Sequence, residues 1–564
     1  MKYTQFLFLF SLSVANGYGV IPTSTTVICG GGPAGLLGAI MMAQKFPDQK
    51  VKVFDRLEPP PSPFDSTVWS DISRFYLIGL SGRGQVSLDK FGVWNEVEDA
   101  CTAVVGRKDW APGSNEAVER IYLDRNFTTQ VLPRDKLVGV LYQHILDNYS
   151  SQVELNYGYD VQPLNFGEDG SGAVTLAVTK CSEKENQDLE CDMNSVNHIT
   201  ADFLIAADGT ARTIANEIEE NDKKRRKLMN PLKRLLAGKP FTVTRYEDDN
   251  KRIYKTIPMK LPADWRPDIN YSARSKGGRL ILDALPANEK GEFCGVMLLR
   301  KDDEMAQSDA DPQKFREFIN EYLPMFSNIV DDGTVSKVAQ KSPSFIPAFR
   351  YVGPRLHCGE CTVVLGDCAH TVKPYFGLGA NCALEDIVIL SDAIDETESV
   401  KDAIQDFSKR RAKDSKTIVR ISRDLDRPGT LGVFTFVIPI ILDAIFSKIA
   451  PKVFAPNMIS MVQREDMTFE NIGKRKRMDR FLQLTIISAG ISGATASIRA
   501  ILRTWGRLLG RRELLIARSI GMSILGCVFL QKTLPFLVPG MAPADLLAIT
   551  KTSVTEKDAI SAKR

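Results

Sequence analysis

Residues Thr25–Arg56 read TTVICGGGPAGLLGAIMMAQKFPDQKVKVFDR, and few folds accommodate such a stretch. Val27–Cys29 form an apolar strand. Gly30, Gly32 and Gly35 fall at the strand-to-helix junction in the pattern G-x-G-x-x-G. An apolar helix runs on to Lys45, and Val51–Phe54 form a second strand that closes on Asp55. In a strand–helix–strand unit of this kind one glycine makes the turn, one lets the backbone approach a pyrophosphate, and one lets helix and strand pack closely. The helix N-terminus then faces negative charge, and the acid accepts from ribose hydroxyls. The glycine pattern alone is weak evidence. With strand, helix and acid all in place, it predicts a dinucleotide site at Gly30, Gly32, Gly35 and Asp55.

Two later segments repeat the motif of an apolar strand ending on an acid. Asp202–Thr213, DFLIAADGTART, closes on Asp208 and Gly209. Val363–Asp386, VVLGDCAHTVKPYFGLGANCALED, closes on Asp367 and then passes Pro374, Gly377, Leu378, Gly379 and Asn381 as it turns helical. An ordinary dinucleotide needs one glycine turn and one ribose acid. A flavin dinucleotide is longer: its ribityl hydroxyls want a further carboxylate, and its ring wants a second helix N-terminus where negative charge collects on reduction. Asp367 and the Gly377–Gly379 turn supply both, so the cofactor expected is FAD.

The chain has 564 residues, 44% apolar and 25% charged, which suits several core-forming units. Its 72 basic and 69 acidic residues leave a net charge of +3, no argument for nucleic acid as a partner. Between Phe241 and Leu299 the pattern becomes antiparallel, through FTVTRY, KRIYKTI, RLILDAL and FCGVMLL. The fold class expected is α/β: a Rossmann-like FAD-binding domain at 25–240 and 346–425, with an inserted antiparallel β-sheet substrate domain at 241–345. A helical region at 426–480 and a membrane-associated tail at 481–564 follow. Phe75–Ala100 carries a helical period through Val86, Leu88, Phe91 and Val97, and Leu137, Val140, Leu141 and Ile145 mark another helix. Ten cysteines in a chain this long do not make a disulfide framework. Cys358 and Cys361 with His357 form a lone CxxC without the second pair a zinc site needs, and are expected to be reduced thiols; no metal is expected.

Both termini are unusual. Gln5–Gly19 follows Lys2 and is apolar, then rich in small residues, the layout of a targeting signal or of an anchor within 1–24. Phe481–Ile498 has no charged residue, and Arg499, Arg503, Arg507 and Arg511 then recur every four residues opposite an apolar face. Such a helix suits an anionic lipid surface, so membrane lipid is an expected partner. Ser519–Gln531 is a further apolar run.

The three strand-to-acid segments, in this order, resemble the fingerprints of the FAD-dependent aromatic hydroxylases of the p-hydroxybenzoate hydroxylase fold. LSGRG (Leu80–Gly84), LDALPANEKGEFCGVMLL (Leu282–Leu299) and APNMISMVQREDMTFENIGKR (Ala455–Arg475) are most similar to the kynurenine 3-monooxygenases within that group. The resemblance covers most of Thr25–Arg480. It implies an enzyme in which NADPH reduces the flavin and one atom of O2 enters the ring of a small aromatic acid, with no side-chain nucleophile and no metal. By the same resemblance Asp367 binds ribityl hydroxyls, Pro374, Gly377, Leu378 and Gly379 line the flavin, and Arg134, Asp208 and Gly209 contact the cofactor. Arg107 and Tyr122 grip the substrate carboxylate, and Asn381 lines the pocket. A planar guanidinium suits a carboxylate because it donates two parallel hydrogen bonds. The resemblance places the chain at the mitochondrial outer membrane; the N-terminal segment points instead to a secretory or organelle membrane.

This sequence departs from the family at Arg212 and Ala215, where serine and arginine usually follow the Asp-Gly pair. It departs again at Val419–Gly429, which lacks the family's aromatics, and at Leu378, which replaces a polar residue. These departures leave open a substrate other than kynurenine, a membrane-anchored flavin protein without hydroxylase activity, and a flavin reductase or epoxidase acting on a lipid.

Overall fold

A computed structural model describes residues 25–69, 71, 75–122, 126–167, 172–183, 189–247, 252–374, 377–426 and 432–505. The N-terminal segment 1–24, the Arg507 and Arg511 positions and the Ser519–Gln531 run lie outside the described residues.

The glycine turn opens from the centre of a six-stranded sheet. Its order is His357–Cys358, Thr362–Val364, Phe203–Ala206, Thr25–Cys29, Lys50–Asp55 and Val153–Tyr157. All neighbours are parallel except the His357–Cys358 edge. Parallel strands are buried on both faces, which is why Val27, Ile28, Phe203, Leu204 and Ile205 read as unbroken apolar runs. Helix Pro33–Lys45 lies over this sheet with Ala34 through Ala43 all buried, sandwiched by helices Arg134–Tyr149 and Leu378–Asp395. Each fully buried Leu, Ile or Val contributes roughly 1.5–3 kcal/mol. The three sequence-predicted junctions, at Asp55, Asp208 and Asp367, therefore end parallel strands of one sheet, those of Asp208 and Asp367 side by side and that of Asp55 one strand beyond Thr25–Cys29, so their acids lie along the same edge.

A seven-stranded sheet forms the second layer, in the order Ser344–Phe345, Arg252–Lys260, Glu292–Arg300, Leu280–Pro286, Ile269–Arg274, Gly106–Trp110 and Ala117–Ile121. Its core, with Tyr271, Phe293, Phe315 and Phe326, lies under helices Pro312–Tyr322 and Asp332–Gln340. The last two strands come from before the inserted region, and Gly106–Trp110 joins in parallel with Ile269–Arg274. FTVTRY does not join this sheet; Thr242–Tyr246 pairs with Phe349–Gly353 in a separate three-stranded sheet that ends on His370–Thr371. Alternation marks a strand but not its partner.

Phe75–Ala100 is not one helix. Leu77–Leu80 is a strand, Gly82–Lys90 and Trp94–Glu98 are short helices, and Gly92 at φ 75° separates them. Leu88, Phe91 and Val97 are buried as the periodicity requires, whereas Val86 is exposed. Cys358 and Cys361 are buried and are not joined to each other by a disulfide. Cys181 and Cys191, which no spacing rule singles out, are joined by a disulfide. Beyond helix Val400–Asp426 the chain continues through Ile438–Ile449 into Phe469–Trp505, a helix long and apolar enough to cross a membrane.

Candidate cofactor and substrate site

The first glycine turn is built for close approach. Gly30 has φ 111°, and a Cβ there would sit 2.2 Å from the Ala207 carbonyl oxygen; one on Gly35 would sit 1.8 Å from that of Gly30. Gly32 caps helix Pro33–Lys45 with no side-chain hydrogen bond, so its first amides have no protein acceptor from that residue. Asp55 is already oriented: its Oδ2 accepts from Gly31 N at 2.6 Å and its Oδ1 from Leu57 N at 2.8 Å. Arg134 Nη2 comes within 3.5 Å of where a Gly32 Cβ would lie, while its Nη1 donates to Asp135 at 2.8 Å. A cation thus stands beside the uncapped helix end.

The second turn mirrors the first. Gly366 at φ 62° aims the chain into the short turn Gly366–Cys368, and Gly377 at φ 62° starts helix Leu378–Asp395, again without a side-chain cap. The Asp367 Oδ1 lies 3.7 Å from where a Gly379 Cβ would be. Burial pushes the Asp367 carboxyl above the usual range, against the pull of His370, Arg212 and Arg134. Asp208 lies one strand over, and its Oδ2 accepts from Ile214 N at 3.2 Å, tying the Asp208–Gly209 turn to helix Thr213–Leu228. Burial pushes the Asp208 carboxyl up as well. Two uncapped helix N-termini open on the sheet edge that carries the acids, and at Gly30 and Gly35 the backbone packs too closely for any side chain. The group that this arrangement fits is FAD.

Several residues missed in the sequence hold this edge in place. Arg212, fully buried, donates to the carbonyl oxygens of Asp367 and Cys368 at 2.5 and 2.8 Å and also reaches the Thr371 hydroxyl. His370 Nε2 and Gly366 N share Asp386 Oδ2 at 2.8 and 2.7 Å, and Arg411 Nε donates to Asp386 Oδ1 at 2.5 Å. Burial alone would raise the Asp386 carboxyl; His370 and Arg411 outweigh it and hold it at about 2. Arg83 ties the same network to the C-terminal region, through Glu385, the Arg464 carbonyl and, at 2.5 Å, the Met467 carbonyl. LSGRG and the Ala455–Arg475 segment thus pack together: a Gly82 Cβ would lie 1.8 Å from Glu465 Oε2, and a Gly84 Cβ would lie 2.2 Å from Asn381 Oδ1.

Asn381 is buried, and its amide is spent on backbone. Its Oδ1 accepts from Ser81 N at 2.8 Å, and its Nδ2 donates to Gly79 O at 2.8 Å and Gly377 O at 2.5 Å. Both donors are used, so this side chain locks the second glycine turn to strand Leu77–Leu80. Leu378 is buried beside it.

Arg107 sits on strand Gly106–Trp110, in the seven-stranded sheet, with Nε 2.8 Å and Nη2 2.6 Å from Asp109 Oδ1. Burial would lower the guanidinium; Asp109, Tyr122 and Asp283 more than offset it. Tyr122 follows the partner strand and is fixed by its amide to Val105 O at 2.9 Å. A pair of tyrosines that sequence reasoning missed, Tyr76 and Tyr254, has ring centroids 6.0 Å apart. Burial and then Tyr254, Asp283 and Asp367 push the Tyr76 phenol up.

The fold is shared with a solved oxygenase of an aromatic acid. A solved 2-methyl-3-hydroxypyridine-5-carboxylic acid oxygenase superposes with a TM-score of 0.51 and 15% identity, covering 73% of this chain and 96% of that one. Among relatives of known name, the chain is similar to kynurenine 3-monooxygenases. That of Salinispora tropica is 22% identical over 84% of this chain and 96% of its own length. That of Myxococcus xanthus is 23% identical over 70% and 75%. That of Saccharomyces cerevisiae is 28% identical over 37% and 46%. No family model matches the chain.

Proposed function

We propose that this chain is a membrane-anchored monooxygenase that uses NADPH and O2 to hydroxylate a small aromatic acid, with kynurenine as the first substrate to try. The observation that supports this reading is the similarity to kynurenine 3-monooxygenases over most of the chain, beside a sheet edge of glycine turns and acids suited to a flavin dinucleotide. In the balanced reaction NADPH supplies two electrons, one oxygen atom enters the ring, and the other leaves as water. FAD, when bound, passes those electrons to oxygen. The protein's share is to bind, orient and exclude water. Gly30, Gly32 and Gly35 admit the pyrophosphate, Arg134 neutralises it, Asp55 accepts from the adenosine ribose, and Asp367 accepts from the ribityl chain. Asp208 and Gly209 shape the wall beside it, while Pro374, Gly377, Leu378 and Gly379 present the second helix end. Arg107 takes the substrate carboxylate by exchanging its Asp109 contact for it, with Tyr122 donating alongside, and Asn381 acts by positioning the flavin turn.

The membrane assignment is supported by helix Phe469–Trp505, whose apolar window is almost entirely exposed, including Phe481, Leu484, Ile486 and Ile491. Beside its base, Phe434, Val437, Ile438 and Ile449 are also exposed. The two helices are pinned by Asp443, 2.9 Å from Lys476 Nζ and 3.1 Å from Gln483 Nε2.

The test is NADPH oxidation by the purified holoprotein with and without kynurenine and other aromatic acids, with the product analysed for one added oxygen. Stimulated oxidation with hydroxylated product supports the reading. Flavin-replete protein that oxidises NADPH equally with every acid, and hydroxylates none, refutes it in favour of a flavin protein without hydroxylase activity.

A further inference from the structure

We propose that the flavin-binding part of this chain folds in an oxidising lumen and carries N-linked glycans at Asn126 and Asn148. Three observations of different chemistry converge on it.

Cys181 and Cys191 occupy directly opposed positions on the antiparallel strands Val174–Glu183 and Leu189–Ala201 and are disulfide-bonded. Such a bond persists in secretory compartments and is rare where glutathione keeps thiols reduced. The remaining described cysteines fit the same environment. Cys29, Cys294, Cys358, Cys361, Cys368 and Cys382 are buried, and Cys101 is half-buried with its thiol turned to the Val97 carbonyl at 3.1 Å. Among the described residues no fully exposed free thiol is left to exchange with the disulfide, and exchange requires an accessible thiolate.

Two acceptor sequences of the form Asn-x-Ser/Thr lie on the surface of the flavin-binding part. Asn126-Phe127-Thr128 precedes strand Thr129–Pro133, with Asn126 and Thr128 both exposed. Asn148-Tyr149-Ser150 ends helix Arg134–Tyr149, with Asn148 and Ser150 exposed and Tyr149 turned inward. Asn148 Nδ2 donates only to His144 of its own helix, so one of its two N–H groups can be replaced without loss of a tertiary contact. A third acceptor sequence, Asn270-Tyr271-Ser272, is an internal control. It lies inside strand Ile269–Arg274, paired on both sides, with the Ser272 hydroxyl buried and donating to Asp283 at 2.5 Å. A sugar there is incompatible with the sheet.

The apolar, small-residue-ended Gln5–Gly19 segment supplies the third element, a route into such a lumen. In the modification a bond forms between Asn Nδ2 and the anomeric carbon of a lipid-diphosphate-linked oligosaccharide, the lipid diphosphate departs, and Nδ2 gives up a proton. No oxidant is needed for that step; the lumen's thiol oxidants account separately for the disulfide. The proposal is independent of the reaction catalysed, so it can fail while the hydroxylase reading stands.

The experiment expresses the full chain, with its own N-terminus, in a eukaryotic cell and treats the membrane fraction with peptide N-glycosidase. The expected result is a fall in apparent mass by two glycans. Asn126→Gln and Asn148→Gln should each remove one, and Asn270→Gln none. Thr128→Ala and Ser150→Ala should reproduce the two losses without touching the asparagines, which guards against a folding defect in either. Alkylation before and after reduction, read by mass spectrometry, should label Cys181 and Cys191 only after reduction. A folded, flavin-bearing chain whose mass does not change with the glycosidase, or whose Cys181 and Cys191 are alkylated without reduction, overturns the proposal.

Discussion

Arg212 grips the main chain of Asp367 from the far side of the flavin edge, its Nη2 2.5 Å from the Asp367 carbonyl oxygen. The position where the resemblance expects an arginine, three residues later, is Ala215, buried in the core. Arg212 enters early instead, and it does so from a left-handed backbone at φ 58°, a conformation few non-glycine residues adopt. The apparent break in the Asp-Gly motif is therefore accompanied by a guanidinium fork that fixes the turn carrying Asp367. Arg212→Lys keeps the charge but loses at least one of three charged hydrogen bonds, each contributing about 1.5–3 kcal/mol. FAD should then bind about tenfold to a hundredfold more weakly, measured by fluorescence titration of the flavin-free protein.

Asp367→Ala removes the acid between the two uncapped helix ends. The variant should fold, with unchanged far-ultraviolet circular dichroism, and purify colourless. Full yellow occupancy would exclude Asp367 from cofactor binding.

Arg107→Lys retains a cation on the substrate sheet but not the two parallel donors. The Michaelis constant for an active aromatic acid should rise by about tenfold to a hundredfold. FAD content should not change, because Arg107 belongs to the other layer. A substrate amide should bind poorly to the parent and lose little more in the variant. An unaltered Michaelis constant for the acid would sink the clamp.

Asp386 carries the acid sensitivity of the flavin edge. Its folded-state carboxyl sits at about 2, below the usual 3.8. A depressed carboxyl stabilises the fold above its unfolded value and loses that contribution as the pH falls through the folded one, here between about 4 and about 2. The shift corresponds to about 2 kcal/mol. Urea midpoints at pH 7 and pH 3 should fall more for the parent than for Asp386→Asn, and an equal fall would show that other acids carry the transition.

Removing residues 1–24 and 481–564 together should release the protein from membranes in a carbonate wash. If the shortened chain still sediments, the exposed Phe434, Ile438 and Ile449 face is the anchor.

The sequence by itself determined the flavin edge. A glycine turn with φ 111° at Gly30, an apolar parallel strand and a terminal acid are local demands, set by backbone sterics and by burial on both faces, so residues 25–56 announce them without help from the rest of the chain. Tertiary structure decided what local pattern cannot carry. Which sheet Thr242–Tyr246 joins, and that Gly106–Trp110 joins the seven-stranded sheet, depend on pairing between strands more than a hundred residues apart in sequence. Asn381 reads as a pocket residue until its amide is seen bonded to Gly79, Ser81 and Gly377, and Arg212 reads as a defect until its reach to Asp367 is seen. A side chain's chemistry is written in its type, but its partner is chosen only when burial forces every donor and acceptor to find one.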